Sequence, residues 1–593
     1  MHKESINQSN DSNIKLLKIN NCNIQNQRNI ANEINNYFLN ITKNTNTIGN
    51  NANKENANPI QYLFEHFHQP FKNIQWTYTS SKEINKIINS LKNKNSSGYE
   101  EITTKIIKLS KPFIISPLIN ISNKMLSQGV YPERLKFALI KPIYKSGDKS
   151  SPSNYRPISL LPAFSKIFEK LIYQRLFDHF SKNTILSEHQ YGFRSEMSTE
   201  NASYMLLNDI LTAMNSKQIV GGIFCDLQKA FDCINHEVLL KKLEFYGVTM
   251  KFYNLIKSYL EGRYQKVVIN GTTVAESTWE KIKQGVPQGS ILGPILFLIY
   301  INDLPKLAPI GTKILLYADD TSVIVTSPNL AHYENQINEI FKEVNYWFKL
   351  NQLKLNYNKT HYLQFTSTTN RMDALKINYQ GLQVINSSHT KFLGLIIDDS
   401  LSWKDHIDQM KPKLNSACFI IRSLQAVMDT ETLKMIYFAY VHSIMSYGII
   451  FWGNQLYSDK IFKIQKRAIR IITNSRTRDS CRKLFQRLEI LPLYSQYIFS
   501  ISIFVVKNKH LFNTNNQIHS FHTRYKTNLH QPTANLTKYQ KGVYYSGVKI
   551  FNNLPKEIKD LTNQTTLFRN SLKRFLLLNC FYNRKEYFNY QTQ

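Results

Sequence analysis

The stretch KILLYADDTSVIV, residues 313–325, sets two adjacent carboxylates between two short apolar runs. Ile314 to Tyr317 and Ser322 to Val325 are rich in branched and aromatic side chains, and Ala318 to Thr321 is turn-like, so the segment predicts a β-hairpin with Asp319 and Asp320 at its tip. Neighbouring anions repel, and ordinary turn chemistry sets one Asp beside an Asn or Gly. A divalent cation removes the conflict, because hard carboxylate oxygens are what Mg²⁺ takes. Taken alone the hairpin reads first as a solvated acidic turn, since short motifs recur by chance. The surrounding sequence has to decide.

Working outward, IVGGIFC, 219–225, is a branched, apolar strand that runs directly into Asp226 and then a helix from about Asn235. If it neighbours the hairpin in one sheet, three carboxylates meet at one edge, the donor set of a two-metal site. FALIKPIYK, 137–145, reads as a strand, SKIFEKLIYQRLFDHF as an amphipathic helix, 263–283 as extended, and ILGPILFLIYIND, 291–303, as a mostly buried helix. A helix over 331–350, a strand pair near 353–365 and the run KFLGLIID, 391–398, follow, and beyond 404 the signals are almost all helical. Ahead of these, SSKEINKIINSLK offers a capping box from Ser80 to Glu83, and a second helical run ends at Gly129. The expected class is α+β, a mixed body followed by a helical, basic tail.

The chain has 593 residues, too many for a single core, and 42% are hydrophobic, enough to fold several subdomains. Its formal charge of +32 is spread along the whole length, which favours a polyanionic partner, nucleic acid above all. No uninterrupted apolar run reaches membrane-spanning length, and MHKESINQSNDSN lacks a signal peptide's apolar centre, so no membrane and an intracellular place are expected. The six cysteines show no metal-ligand spacing and read as reduced thiols. Residues 1–58 are dominated by Asn and, apart from the helical pattern IANEINNYFLNI, read as a flexible segment. A helical extension over 59–125 precedes the body at 126–400; a helical region over 401–500 and a C-terminal region of unassigned role, 501–593, complete the division.

The blocks GGIFCDLQKAFDCINHEVLLKKL, QGVPQGSILGPILFLIYINDL, YADD, LKLNYNKTHYLQF and KFLGLIID, in that order, resemble the successive blocks of reverse transcriptases. Upstream, LIKPIYKSGDKSSPSNYRPISLLPAFSKIFEKLIYQRL resembles the fingers of LINE-type, non-LTR retrotransposon enzymes of the jockey-like group. The resemblance is strong over about residues 125–400 and extends more weakly to about 560. It implies a right-hand fold of fingers, antiparallel palm and thumb. It also implies an RNA-directed DNA polymerase working with two Mg²⁺ ions, for which Mn²⁺ substitutes. Its partners would be an RNA template, a DNA primer or target and dNTPs, in a cytoplasmic ribonucleoprotein or in the nucleus.

Carried over by position, Asp226, Asp319 and Asp320 match the metal-binding aspartates, with the Leu227 carbonyl as a further ligand. Phe231 matches the steric gate that excludes a ribose 2′-hydroxyl. Lys145 and Arg156 match the fingers cations on the triphosphate, and Gln288, in VPQGS, the block beside nucleotide and template. Gly285 and Gly289 would let the backbone approach closely. Lys359 matches the lysine that protonates pyrophosphate. Asp232 reads as structural, a helix cap. Against these stand plain readings: solvated charges at Lys145, Arg156 and Lys359, ordinary core at Phe231, a turn residue at Gln288. SDKIFKIQKRAIRIIT, 458–473, places Lys463, Lys466, Arg467 and Arg470 on one helical stripe opposite Ile461, Ile464, Ala468 and Ile472, either a thumb face on duplex phosphates or a solvated face.

The jockey-like group carries an apurinic-type endonuclease ahead of the polymerase, and the polar residues here are too few to hold one. The Cys/His knuckles of the other LINE arrangement are also missing, since only Cys580 lies near the end. A truncated element copy or an incomplete gene model is therefore expected. The alternative to a polymerase is a catalytically silent or domesticated nucleic-acid-binding remnant.

Overall fold

The computed structural model describes residues 14–19, 22–40, 59–67, 71–270, 274–366, 375, 377–379, 382–519 and 526–590. The predicted hairpin forms from strands Thr312–Tyr317 and Asp320–Ser327, joined by the two-residue turn Ala318-Asp319. It is one side of a five-stranded sheet. Ile219–Cys225 lies in the middle, antiparallel to Asp320–Ser327 on one side and to His361–Phe365 on the other, with the short Ile385–Asn386 parallel at the far edge.

Because side chains alternate along a strand, the two faces of this sheet feed two separate cores. Ile223, Cys225, Val323, Val325, Ile314 and Tyr362 point into the first, filled by helices Ser165–Lys182, His236–Phe245, Met250–Leu260, Leu292–Tyr300 and Leu330–Leu350. Val220, Phe224, Ile324, Leu315, Leu363 and Phe365 point into the second, filled by helices Thr199–Asn215, Lys404–Leu424, Ser458–Ile472, Leu493–Lys507 and Thr565–Asn579. Burial on both faces explains why these strands read as near-continuous apolar runs. The sheet's carboxylates gather at the end where Asp226, Asp319 and Asp320 sit, while Lys313, on the outer strand, pairs with Asp209.

A second sheet runs in the order Tyr155–Leu160, Phe137–Tyr144, Tyr264–Asn270, Val274–Glu276. Phe137–Tyr144 is antiparallel to the first of these and parallel to the third. Its hairpin is tied to the loop before Leu292–Tyr300 by a hydrogen bond from Ser159 N to Gln288 O, 2.8 Å.

The structure corrects the division of the chain in three places. Residues 14–19 and 22–40 of the expected flexible segment are built into the second sheet's flank. Helix Gln27–Leu39 buries Ile30, Ala31, Ile34 and Phe38, and Asn35 accepts a hydrogen bond from Gln265 Nε2, 2.9 Å, and donates to Thr278 O, 3.2 Å. An Asn-rich composition signals disorder on average, but amides beside an apolar stripe also bond to a strand edge. The remaining residues of that segment, 1–13, 20–21 and 41–58, lie outside the described ones. The boundaries at 125 and 500 fall inside helices Thr104–Gln128 and Leu493–Lys507, and the second core continues from the 401–500 region through Tyr587. Near 353–365 only His361–Phe365 is a strand; Leu355 makes a single bridge to Leu227. Among the described residues no single helix is long and apolar enough to cross a membrane.

Candidate active site

Register brings the carboxylates together. Cys225 pairs with Thr321, so the next residues, Asp226 and Asp320, face one another across the two middle strands, with Asp319 beside them in the turn. Ala318 takes a left-handed backbone, φ 54°, a conformation that a branched side chain resists. The turn is braced from outside: Gln190 Oε1 accepts from the backbone N–H groups of Ala318, 3.0 Å, and Gly192, 2.8 Å. Leu316 exchanges backbone hydrogen bonds with His189 and Tyr191. Asp226 is held by Asn356, whose Nδ2 donates to Oδ2 at 3.0 Å and whose backbone N–H donates to the Asp226 carbonyl at 2.8 Å. Lys359 Nζ lies 3.6 Å from the same Oδ2.

Lost hydration at this edge, then the charges of Asp319 and Asp226, push the Asp320 carboxyl up to about 6. Asp320 remains open to solvent on one side, so its neighbours' charge is only partly screened. Asp319 is shifted upward too, by burial first and by Asp226 among the charges, while Arg156 and Lys145 pull it back. Burial, then Lys359 and Arg156, hold the Lys145 ammonium below its ordinary value. Two fingers cations and three aspartates therefore share one electrostatic neighbourhood. Lys145 follows the Phe137–Tyr144 strand, its N–H bonded to Asn154 O at 2.9 Å, and Arg156 pairs in register with Ile143. Among the described residues no three His, Cys, Asp or Glu side chains close into a metal cage. The three aspartates form an open edge instead, which suits an ion that shares its shell with substrate phosphates and water.

Phe231 is half-buried, stacked on Phe297 with ring centroids 4.5 Å apart and edge-on to Phe193 at 6.1 Å. Its neighbour Asp232 is not the cap of the following helix. Asn235 takes that place, accepting from Val238 N at 3.0 Å, while Asp232 accepts from Gln288 Nε2 with both oxygens, at 2.8 and 2.9 Å. Burial pushes the Asp232 carboxyl up to about 6, against the pull of Gln288 and Lys229. The loop closes on these residues through its glycines: a Cβ on Gly285, φ 79°, would come 2.8 Å from the Asp232 carbonyl, and one on Gly289, φ 116°, 2.9 Å from that of Ser159. Close backbone approach is thus what both positions require.

The basic stripe is divided. Lys463 and Arg467 are exposed, and Arg467 bonds to Asn415 on the neighbouring helix. Lys466 lies over the rings of Phe462, 4.7 Å, and Tyr582, 5.7 Å, and Arg470 donates twice to the Asp479 carbonyl. Lys466 and Arg470 are thus engaged in holding the helical region together, and Arg467 joins them through one exposed bond. Gln190, Asn356 and the Asp232–Gln288 pair escaped the sequence reading. Only NYNK beside a predicted strand, for Asn356, and the Gly in QYGFR, for Gln190, carried any signal of them.

Residues 143–397 match the family described as reverse transcriptase (RNA-dependent DNA polymerase). The chain is 32% identical over 405 residues to a probable RNA-directed DNA polymerase from transposon BS of Drosophila melanogaster, covering 66% of this chain and 44% of that one. It is 27% identical over 439 residues to the RNA-directed DNA polymerase from mobile element jockey of the same fly, covering 71% of this chain and 47% of that one. The chain thus spans under half the length of the curated relatives it matches. Among solved structures, apo telomerase from Candida tropicalis overlaps 47% of this chain and 57% of that one at 15% identity and a TM-score of 0.31, too loose to bear on the site. With its ordered blocks folded around the three aspartates, the stretch 143–397 matches the reverse transcriptase family, and the chain is similar to RNA-directed DNA polymerases of jockey-like mobile elements.

Proposed function

We propose that this chain is an RNA-directed DNA polymerase that adds deoxynucleotides to a primer 3′-hydroxyl on an RNA template. One observation carries the reading: carboxylates from two strands and their turn meet at one sheet edge, with Lys145, Arg156 and Lys359 around them. Asp226, Asp319 and Asp320, with the Leu227 carbonyl, would hold two Mg²⁺ ions, and Mn²⁺ would serve in their place. The donor set fits, being all hard oxygen, with two carboxyls whose raised proton affinity a divalent cation relieves. When bound, such ions supply positive charge to the attacking and leaving oxygens of an in-line displacement.

The protein's own side chains do the rest. Lys145 and Arg156 bind and orient the triphosphate, offsetting its charge. The 3′-hydroxyl gives up its proton to solvent water, its oxygen bonds to the α-phosphorus as the bond from that phosphorus to the pyrophosphate oxygen breaks, and Lys359 Nζ holds a proton for the leaving pyrophosphate. Asn356 keeps the Asp226 carboxylate in place for this. The Phe231 ring, fixed against Phe297, excludes a 2′-hydroxyl by its bulk, so that sugar selection comes from a clash rather than from a new contact. Gln288, anchored on Asp232, lies beside the nucleotide and template.

The test is primer extension by the full chain on oligo-dT annealed to poly-rA, with Mg²⁺. Incorporation of dTTP, its loss on chelation and its recovery with Mg²⁺ support the reading. Binding of the hybrid with no incorporation under any divalent cation would overturn it in favour of a silent remnant.

A further inference from the structure

An open cleft of about 530 Å³ lies in the C-terminal helical region, far along the chain from the aspartates. Its volume is that of a small-ligand site. Helices Val543–Asn552 and Arg584–Asn589 and the loop before Ser458 bound it, and its walls carry Lys541, Lys549, Arg584 and Lys585. Against four cations stands one carboxylate, Asp459, already accepting a hydrogen bond from Tyr494 Oη at 2.5 Å. Lys541, Arg584 and Lys585 make no ion pair with any described residue. Burial, then the Arg584 charge, hold the Lys541 ammonium below its ordinary value. Aromatic rings sit among these cations: Tyr545 lines the cleft, and Phe588 carries Lys549 Nζ 4.9 Å above its ring.

Like charges gathered without counter-ions are unfavourable unless an anion joins them, and interleaved rings add stacking surface for planar bases. We infer that this cleft is a binding site for single-stranded nucleic acid, its cations taking successive phosphates and its rings a base. Free phosphate or a lone nucleotide shares part of this chemistry. However, cations from three helices, Thr537–Lys541 among them, spread around an open cleft, match a strand better than a single phosphoryl group. The site deepens the proposed polymerase by giving it a second hold on template or displaced strand, but strand binding here does not require catalysis.

The test compares the full chain with Lys549→Glu/Lys585→Glu and with the milder Lys549→Gln/Lys585→Gln, both lysines being exposed. A fluorescein-labelled oligo-U of twelve residues carrying one photoreactive 4-thiouracil is titrated over a salt series. The expected result is a log–log salt slope lower by roughly one in the Gln pair, from ~0.7 per phosphate contact, and crosslinks in peptides containing Tyr545 or Phe588 that the variants lose. An unchanged slope with crosslinks elsewhere overturns the assignment, as does displacement of the crosslink by ATP at the same phosphate concentration. Primer extension on a preformed hybrid is read in parallel. Its absence in the native chain, with cleft binding intact, would count against the polymerase alone.

Discussion

Asp320 combines an open face with a carboxyl pushed up to about 6, and Asp232, buried beside Phe231, is raised to the same value. Both are protonated more readily folded than unfolded. Their stabilising effect on the fold is therefore fully present below about pH 4 and is lost as pH rises through about 6, as the carboxylates ionise against lost hydration and neighbouring charge. In EDTA, the melting temperature is expected to fall across that window, and Asp320→Asn and Asp232→Asn should each flatten the fall. Adding Mg²⁺ should raise the melting temperature of the native chain at pH 7.5 but barely at pH 5, where protons occupy its ligands. A Mg²⁺ effect equal at both pH values would remove Asp320 from the ligand set. Phe231→Val should lower dNTP-over-rNTP discrimination by tenfold or more, ~1.4 kcal/mol, because only bulk excludes the hydroxyl. Steady-state incorporation of both sugars checks it, and unchanged discrimination in a folded variant assigns the exclusion elsewhere. Asp232 acts through Gln288 if Asp232→Asn and Gln288→Ala do not add: the double variant should match Gln288→Ala in KM for dNTP.

At the scale of elements, what was legible followed from periodicity and turn chemistry. The 313–325 hairpin, the 219–225 strand and the helix read over 331–350 all form, since each buries a face whose repeat is written in consecutive residues. Contacts between distant segments were not legible. Asn356 reaches Asp226 across 130 residues, and Gln190 reaches Ala318 across 128. Neither lies on a periodic face. Asp232 misled because Asp before a helix usually caps it, whereas here Asn235 is nearer the first turn and Gln288 claims the carboxylate. The Ser458–Ile472 helix shows the same limit, because one stripe of four cations has two different uses. Lys463→Gln/Arg467→Gln should lower the salt slope of hybrid binding by up to about two, with only a slight fall in melting temperature from loss of the exposed Arg467–Asn415 bond. Lys466→Gln/Arg470→Gln should instead destabilise the chain by ~1 kcal/mol or more through lost ring and carbonyl contacts. Filter binding and thermal melts separate the pairs, and an inverted result would exchange their roles.

For the whole molecule, a charge of +32 on a body with two cores and one acidic edge makes a particular arrangement. Cations spread over the surface give sequence-independent affinity for phosphates, while the aspartates form a local reversal of sign that only bound cations neutralise. The sheet lies between the two cores, which rigidifies its strands and fixes the distance between Asp226 and the 319–320 pair. The N-terminal helix Gln27–Leu39 contributes to the same rigidity through the second sheet. Affinity and chemistry are therefore expected to separate cleanly on mutation. The most direct measurement is single-nucleotide primer extension, under saturating hybrid and Mg²⁺, by the native chain and by Asp319→Asn, with hybrid affinity and melting temperature recorded for both. The substitution keeps the size of the side chain and removes its charge. Extension should fall by about a thousandfold or more, ~4 kcal/mol of barrier, while affinity and folding stay near native. An Asp319→Asn chain that keeps more than about a tenth of the native rate, ~1.4 kcal/mol, would contradict the assignment of catalysis to this edge.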